Sequence, residues 1–344
     1  MPDISKINAL AIGSVSKVDG LAKASILDID GVAVPAGSVN VPPLDTYTGA
    51  AAAFSVRLLR TAYSGDIMRV RRDSDNVEAD IGFDSNNELS LTSPVSNPSS
   101  GGPFTDFADF IGHGGTPANG FVRYWYDQSG NAVDAGQATS TSQPKIYDSS
   151  SGIIQEGATG KEKPALQLGR STLKQLTTSA ISWSTSFTAA TVLQPTDDGD
   201  FYIKNWSIGN DATNRGYAHT AWTGATAFDW FNQDSAMFGD GYAATSYPRI
   251  ITTASAFISG QQALSFLSLN STASTLHVDG SEPTYRVQET GNTSADSDIL
   301  YINGGTTANQ GMDGTMQELI LWASNQSGVR TGIENNLNDY FQIY

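Results

Sequence analysis

Short runs in which apolar and polar residues alternate dominate the chain from residue 67 onward, and turn-forming residues separate them. A period of two predicts strands that are buried on one face, and aromatic and β-branched residues favour the same conformation. Many short strands at regular spacing indicate an all-β sandwich rather than a parallel α/β sheet. The predicted strands span residues 67–72, 77–83, 120–124, 165–168, 187–193, 201–203, 228–231, 263–269, 275–278, 299–302 and 314–322.

Three segments have helical periodicity instead. Residues 51–63 contain good helix formers with Phe54, Leu58 and Ala62 on one face, so we expect a helix that caps the sandwich. The phenylalanines of residues 104–111 also have helical spacing and are expected to pack in the core. A short amphipathic helix is expected over residues 326–340.

The first residues contain a repeat of eleven residues, in which segments 4–12, 15–23 and 26–34 align. Each unit places an Asn-Ala or Asp-Gly pair between two apolar runs, which predicts a small strand-turn-strand. Units this short bury little surface alone, so we expect them to stack on each other, on neighbouring subunits or on a larger assembly. We therefore predict an N-terminal β-repeat anchor at residues 1–36, a Pro-rich linker at 37–45 and a sandwich at 46–344.

Composition and charge exclude several functions. The formal charge of −16 opposes binding to nucleic acid or to an anionic membrane surface. The chain has no cysteine, which removes disulfides and thiolate chemistry. We find no secretory signal and no apolar run long enough for a transmembrane segment, so synthesis in the cytoplasm without membrane insertion is expected.

Candidate ligands for a cation lie on the turn that follows residues 120–124. Asp127, Asn131 and Asp134 offer the oxygen atoms that Ca²⁺ requires. The alternative is an Asx turn that caps the strand, which we prefer because turns commonly use the same residue types. No other cofactor is expected. Arg69, Arg71 and Arg72 are expected to form ion pairs with acidic residues across the hairpin that precedes this strand.

Several motifs resemble a known family. The segments Leu59-Arg-Thr-Ala-Tyr-Ser-Gly65, Val70-Arg-Arg-Asp-Ser-Asp-Asn76 and Tyr126-Asp-Gln-Ser-Gly-Asn131 resemble the catalytic domain of fungal-type α-L-arabinofuranosidase B. Residues 276–280, 300–305, 312–322 and 333–340 are similar to the C-terminal half of concanavalin A-like, laminin-G-like jelly rolls. The resemblance covers residues 46–344 and implies a concanavalin A-like jelly-roll β-sandwich with a few short helices.

The resemblance also implies catalytic residues that this chain lacks. The family places its catalytic acid, an aspartate, after a Gly-Gly pair, where this chain has Thr306. Its nucleophilic glutamate corresponds best to Asn232 or Gln233, which are uncharged, and its disulfide cysteines are absent. We therefore expect no enzymatic activity. The alternative is an arabinofuranosidase-like glycoside hydrolase in which Asp229 or Asp234 acts in a rearranged site.

The N-terminal repeats resemble the leaders of bacteriophage virion proteins, in particular tail appendages and capsid-surface proteins. This resemblance implies a non-enzymatic virion protein, located in the virion, that contacts other virion proteins through residues 1–43. We expect a homo-oligomer, for example a trimer, that displays the jelly roll toward a host-surface glycan. A capsid or tail decoration protein without a ligand is a further alternative.

Aromatic and polar side chains are the candidates for contact with a glycan. Trp125, Tyr126, Trp222, Trp230 and Tyr242 could stack on sugar rings, and Trp222 and Tyr242 lie in loop-like sequence. The expected ligand-binding residues are Trp222, Trp230, Asn232, Asp234, Tyr242 and Asp127.

Overall fold

A computed structural model of the chain divides into two compact units, Met1–Val41 and Pro42–Tyr344. The structure describes residues 17–18, 21–22, 28–29, 32–33, 41–170, 172–183, 186–196, 205–208, 216–219, 237–239, 249–252, 257–269, 274–289, 296–304 and 311–344. Among these residues, no helix is long and apolar enough to span a membrane.

In the first unit, four two-residue strands form two antiparallel pairs. Strand β1 (Lys17–Val18) pairs with β2 (Leu21–Ala22), and β3 (Asp28–Ile29) pairs with β4 (Val32–Ala33). Each pair flanks an Asp-Gly dipeptide in the sequence, and the pairs fall in the second and third repeats. The first repeat lies outside the described residues.

In the described part of the second unit, antiparallel strands predominate and three α-helices are present. The helices are α1 (Pro43–Thr46), α2 (Phe107–Ile111) and α3 (Arg330–Phe341), and two 3₁₀ turns span Ser140–Ser142 and Ser327–Val329. The strands are β5 (Ala50–Ser55), β6 (Met68–Arg72), β7 (Glu78–Ile81), β8 (Val95–Ser96), β9 (Gly120–Trp125), β10 (Ala135–Gly136), β11 (Lys145–Asp148), β12 (Gly152–Ile153), β13 (Gln155–Glu156), β14 (Lys163–Pro164), β15 (Leu166–Leu168), β16 (Leu176–Trp183), β17 (Phe187–Pro195), β18 (Trp206–Ile208), β19 (Gly216–His219), β20 (Met237–Gly239), β21 (Arg249–Thr252), β22 (Ala263–Leu269), β23 (Thr275–Val278), β24 (Tyr285–Glu289), β25 (Asp296–Ile302) and β26 (Gly314–Trp322).

Strand pairing defines two layers. One has the order β23-β22-β17-β26-β5, and the other has the order β8-β7-β6-β9-β10-β16-β25-β18-β19-β20. Strands β11 and β15 connect the layers, because β11 pairs with β9, β15 pairs with β26, and the two pair with each other. This arrangement confirms the predicted all-β sandwich with a few short helices.

Large aromatic side chains fill the space between the layers. Phe54 of β5 packs on Trp125 of β9 with ring centroids 5.7 Å apart, and Phe187 of β17 packs on Trp206 of β18 at 5.9 Å. All four side chains are fully buried. Burial of aromatic area on both inner faces is the main favourable term that holds such a sandwich together.

The predicted helix over residues 51–63 is wrong. Residues Ala50–Ser55 form β5, which pairs along β26 from Ala50 opposite Trp322 to Ser55 opposite Glu318. The alanines favour a helix in isolation, but both faces of this segment are covered in the fold. Small side chains fit a strand that lies between two packed surfaces, so tertiary burial overrides helix propensity.

Most other predicted elements are confirmed. Strands β22, β23 and β26 have the predicted bounds, the hairpin of residues 67–83 is β6 paired with β7, and residues 120–124 lie in β9. The phenylalanine patch forms α2, whose Phe107 and Phe110 are fully buried. The C-terminal amphipathic helix is α3. The predicted strands 201–203 and 228–231 lie outside the described residues.

A buried ion pair fixes α3 against β5 and β26. The Nε of Arg57, just after β5, donates to Oε2 of Glu318 at 2.8 Å, and both side chains are fully buried. The Arg57 guanidinium lies 4.7 Å from the ring centroid of Tyr340 and donates to Oδ1 of Asn336 on the same helix. The Arg57 guanidinium therefore contacts both β26 and α3.

Candidate functional site

Asp127 closes the turn after β9 with a network of hydrogen bonds. Its Oδ1 accepts from the backbone amides of Ala53 and Ser129, both at 2.9 Å. Its Oδ2 accepts from the Ser129 hydroxyl at 2.6 Å and from the amide of Val133 at 3.3 Å. The side chain is buried, so its acceptors are satisfied by the fold itself.

Gln128 joins the same turn to the segment after β5. Its Oε1 accepts from the amide of Leu59 at 2.7 Å, and its Nε2 donates to the carbonyl of Arg57 at 3.0 Å. Gly130 has a φ of +97°, and a Cβ there would lie 2.6 Å from Nη1 of Arg60. A side chain at this position would therefore meet both backbone strain and a clash.

These contacts explain the turn as a structural element. Asn131 donates from Nδ2 to the carbonyls of Ala50 and Ala51, and Asp134 accepts from the amide of Asp127. The predicted cation ligands thus lie on one turn, where their oxygens and amides bond protein groups. Within the described ranges, no group of three or more acidic or histidine side chains is arranged to hold a metal ion.

An open cleft of about 420 Å³ lies beside this turn. Two segments form its walls, and both carry motifs that resemble the arabinofuranosidase family, residues 59–65 and 126–131. The cleft is lined by Arg60, Ala62, Tyr63, Ser64, Gly65, Asp66, Tyr126, Asp127, Gly130, Ala132 and Asp134.

Two carboxyl groups of the cleft keep a free oxygen. Asp66 accepts a hydrogen bond from the Ser96 hydroxyl at Oδ2, and Asp134 accepts from the Asp127 amide at Oδ1. The second oxygen of each makes no hydrogen bond with the described part of the chain. Desolvation raises the pKa of Asp66, with a further contribution from the charge of Asp80. The pKa of Asp134 is also raised, first by desolvation and then by the nearby charge of Asp127.

Two tyrosines and an arginine complete the polar lining. Desolvation and the charges of Asp134, Asp66 and Asp127 raise the pKa of Tyr63, which therefore keeps its proton. Burial and a hydrogen bond to Asp80 raise the pKa of Tyr126 in the same way. Arg60 donates from Nη1 to the carbonyl of Ser129, while its buried Nε has no hydrogen-bond partner among the described residues.

The cleft combines hydrogen-bond acceptors, phenol rings and a cation. A carboxyl group with a raised pKa retains its proton closer to neutral pH, as a general acid requires. The free carboxylate oxygens can accept hydrogen bonds from hydroxyl groups. The lining therefore has the chemistry of a site for a polyhydroxylated ligand.

The structure tests some of the candidate residues for ligand contact. Trp125 is fully buried and donates from Nε1 to the carbonyl of Ser55, so the suggestion that it stacks on sugar is wrong. Asp127 lines the cleft, but the turn occupies its oxygens. Trp222, Trp230, Asn232, Asp234 and Tyr242 lie outside the described residues, as do Asp229, Gln233 and Thr306.

Sequence reasoning missed Asp66 and the placement of Tyr63 and Asp134 in the lining of one cleft. The available signal was the motif of residues 59–65, which stands directly before Asp66.

The predicted ion network is confirmed in part, since Arg69 pairs with Glu78 and Asp80, and Arg72 pairs with Asp75. Arg71 instead bonds Gln143 and Asn76.

Comparison with known proteins identifies the fold. No protein-family model and no curated protein sequence matches the chain significantly. Among solved structures, it resembles a GH54 α-L-arabinofuranosidase soaked with a cyclic sulfate inhibitor, with a TM-score of 0.52 and 15% identity over 88% of this chain and 66% of that chain. An arabinofuranosidase complexed with arabinofuranosyl-α-1,2-xylobiose gives a TM-score of 0.52 and 13% identity over 87% and 64%. A mutant GH54 enzyme soaked with 4-nitrophenyl α-L-arabinofuranoside gives 0.53 and 14% over 88% and 66%.

These matches contradict the prediction of a non-enzymatic phage virion protein. That prediction depended on short repeats at the N-terminus, whereas the similarity to arabinofuranosidases extends over 87–88% of the chain in three dimensions. The chain spans just under two thirds of the length of these enzymes. At this level of identity, the comparison establishes that the chain has an arabinofuranosidase-like jelly-roll fold.

Proposed function

We propose that the chain is an arabinofuranosidase-like glycoside hydrolase domain that acts on glycans with arabinofuranosyl groups. The observation that carries this proposal is the jelly roll shared with arabinofuranosidases over 87–88% of the chain. The polar cleft beside residues 126–134 supports it, because its lining suits a ligand rich in hydroxyl groups.

The proposed reaction requires two carboxyl groups with different roles. One donates a proton to the leaving oxygen, and the other attacks the anomeric carbon or activates water. In the cleft, Asp66 and Asp134 are carboxyl groups with raised pKa values, which suits the role of acid. Asp229 and Asp234 are the alternative pair, because they flank the segment that corresponds to the family's nucleophile.

A second candidate function is glycan binding without hydrolysis. The observation that favours it is the substitution at the family's catalytic positions, where this chain has Thr306 and the uncharged Asn232 or Gln233. Neither threonine nor an amide side chain supplies the acid or the nucleophile of a retaining mechanism. The two candidates share a ligand class and differ in turnover.

Release of 4-nitrophenol from 4-nitrophenyl α-L-arabinofuranoside by the full chain tests the proposal. The single variants Asp66→Asn, Asp134→Asn, Asp229→Asn and Asp234→Asn each remove one candidate carboxylate. Asp339→Asn is the matched control, since Asp339 is an exposed residue of α3 away from the cleft lining. We expect turnover that falls by about 100-fold or more in two of the four variants and is retained in the control.

Three results would count against the proposal. Absence of turnover together with binding of arabino-oligosaccharides would support the second candidate. Absence of both turnover and binding would contradict the two candidates together. Turnover that persists in all four variants would contradict the assigned carboxylates.

A further inference from the structure

A row of cations crosses one face of the sheet that contains β9. In the strand register, Arg71 of β6 lies opposite Phe121 of β9, and Phe121 lies opposite Lys145 of β11. Residues directly opposite each other in antiparallel strands point to the same face. The three side chains therefore form one row across three neighbouring strands.

The ring of Phe121 is the centre of this row. The Arg71 guanidinium lies 5.1 Å from the ring centroid, the Lys145 ammonium 5.8 Å and the Lys174 ammonium 5.1 Å. Cations at these distances interact favourably with an aromatic face. We call Phe121, Arg71, Lys145 and Lys174 the Phe121 patch.

The positive charge of the Phe121 patch is only partly neutralised. Lys145 pairs with Asp148 at 2.9 Å. Nearby, Arg69 pairs with Glu78 and Asp80, and Arg123 pairs with Glu78. Arg71 and Lys174 have no carboxylate within 4.0 Å in the described part of the chain, and Lys174 instead donates to the carbonyl of Gln143. Burial lowers the pKa of Lys174, and the charges of Lys145 and Arg71 lower it further. This concentration of cations contrasts with a chain of net charge −16.

Aromatic rings connect the Phe121 patch to the cleft. Tyr124 lies opposite Arg69 and Phe121 lies opposite Arg71, with a register shift between Arg69 and Val70. Because Arg69 and Arg71 are two residues apart on β6, Tyr124 and Phe121 lie on the same face of the sheet. The ring of Tyr126 stacks on Tyr124 with centroids 6.3 Å apart and an interplanar angle of 5°. Tyr126 in turn lines the cleft. All three rings are half-buried, which leaves part of each accessible.

We propose that this face binds an acidic saccharide, with a ring carboxylate of the saccharide held at the Phe121 patch and the neighbouring sugars along Tyr124 and Tyr126 toward the cleft. Charge complementarity selects a carboxylate-bearing glycan over a neutral one, because Lys145 and Lys174 can both reach a group above the patch. A nucleic acid fits poorly, since the net charge of the whole chain repels a dense row of phosphates. This inference rests on the proposed carbohydrate function and adds the class of glycan.

Binding of oligogalacturonate to the full chain, measured by titration calorimetry, tests the inference. The fully methyl-esterified oligosaccharide is the matched ligand control, because it keeps the rings and loses the charge. Lys145→Gln and Lys174→Gln are the test variants, and Lys161→Gln, an exposed lysine outside the patch, is the control. Thermal unfolding of each variant checks that it folds.

We expect the acidic oligosaccharide to bind at least about tenfold more tightly than its ester, and each test variant to lose about fivefold to tenfold in affinity. Added salt should weaken this binding, and Lys161→Gln should match the wild type. Equal affinity for acid and ester, or unchanged affinity in both test variants, would overturn the inference. Competition by acetate or inorganic phosphate at the same concentration as the saccharide would also overturn it, since the site would then hold only small anions.

The closing experiment separates this inference from the proposed hydrolase function. Binding of oligogalacturonate without turnover of the aryl arabinofuranoside would support the acidic-glycan site and count against hydrolysis. Turnover without binding of oligogalacturonate would support hydrolysis and contradict the acidic-glycan site.

Discussion

Asp127 illustrates how a conspicuous residue of a motif can be structural. Its carboxylate accepts hydrogen bonds from three backbone amides and one hydroxyl, and these donors belong to two separate segments of the chain. The motif of residues 126–131 therefore positions the wall of the cleft. The less conspicuous Asp66 and Asp134 line the cleft, and one oxygen of each makes no hydrogen bond with the described part of the chain.

Replacement of Asp127 by asparagine should destabilise the fold. The asparagine amide would direct a donor toward groups that are themselves donors, so we expect the free energy of unfolding to fall by about 2 to 3 kcal/mol. Asp134→Asn is the control, because Asp134 accepts a single hydrogen bond from the described part of the chain. Urea unfolding measures both variants, and an equal loss in the two would contradict the structural role of Asp127.

Glu334 of α3 should make stability depend on pH. It is buried, and its Oε1 has no hydrogen-bond partner in the part of the chain that the structure describes. Desolvation therefore raises its pKa from the ordinary 4.5 despite the ion pair with Arg330. The folded protein then binds this proton more tightly than the unfolded chain. The contribution of Glu334 to stability is therefore fully present below its unfolded pKa and is lost as the pH rises through the folded pKa.

Glu334→Gln isolates this effect, because glutamine does not titrate. The difference in unfolding free energy between wild type and variant should shift against the wild type from about pH 4 to pH 7. Urea unfolding at several pH values across this range measures the difference. A difference that stays constant, or that shifts in favour of the wild type, would contradict the raised pKa.

Among the elements, local pattern predicts strands in two ways. The hairpin of residues 67–83 follows from the alternation of residue types, whereas the long strands β22 and β26 are mostly apolar runs in which every residue is buried. Strand β5 is predicted in neither way, because its alanines have neither the alternation nor the side-chain size of a typical strand. Its conformation is set by pairing with β26, more than 260 residues later in the chain, as the Ser55–Glu318 pair shows. A pairing partner so distant in the sequence cannot be predicted from the residues of β5 and its immediate neighbours.

The ion pair between Arg57 and Glu318 should be essential to the contact between β5, β26 and α3. Arg57→Met leaves Glu318 buried without its cation, so we expect a loss of about 3 to 5 kcal/mol in unfolding free energy. The double variant Arg57→Met with Glu318→Met should recover part of this loss, since no charge then remains buried.

Arg123→Met is the control for this prediction. Arg123 forms a longer, partly exposed pair with Glu78 at 3.8 Å, so its loss should cost less than about 1 kcal/mol. Denaturant unfolding compares the three variants. A double variant less stable than Arg57→Met alone would contradict a desolvation cost at Glu318.

For the whole molecule, the sequence motifs indicated the sandwich and the family of folds, but not the composition of the cleft. Tyr63 and Asp66 follow β5, whereas Asp134 precedes β10, and only the pairing of β9 with β6 and β10 brings these segments together. The Phe121 patch depends in the same way on register across three strands. These juxtapositions are properties of the assembled sheet.

Hydrolysis of 4-nitrophenyl α-L-arabinofuranoside by the full chain tests most directly the proposal that the jelly roll acts on arabinofuranosyl groups. We predict release of 4-nitrophenol that exceeds release from the corresponding β-D-xylopyranoside and that is lost when the proposed catalytic carboxylates are replaced by asparagine. Release no faster than from substrate in buffer alone, with the wild-type protein folded, would contradict it.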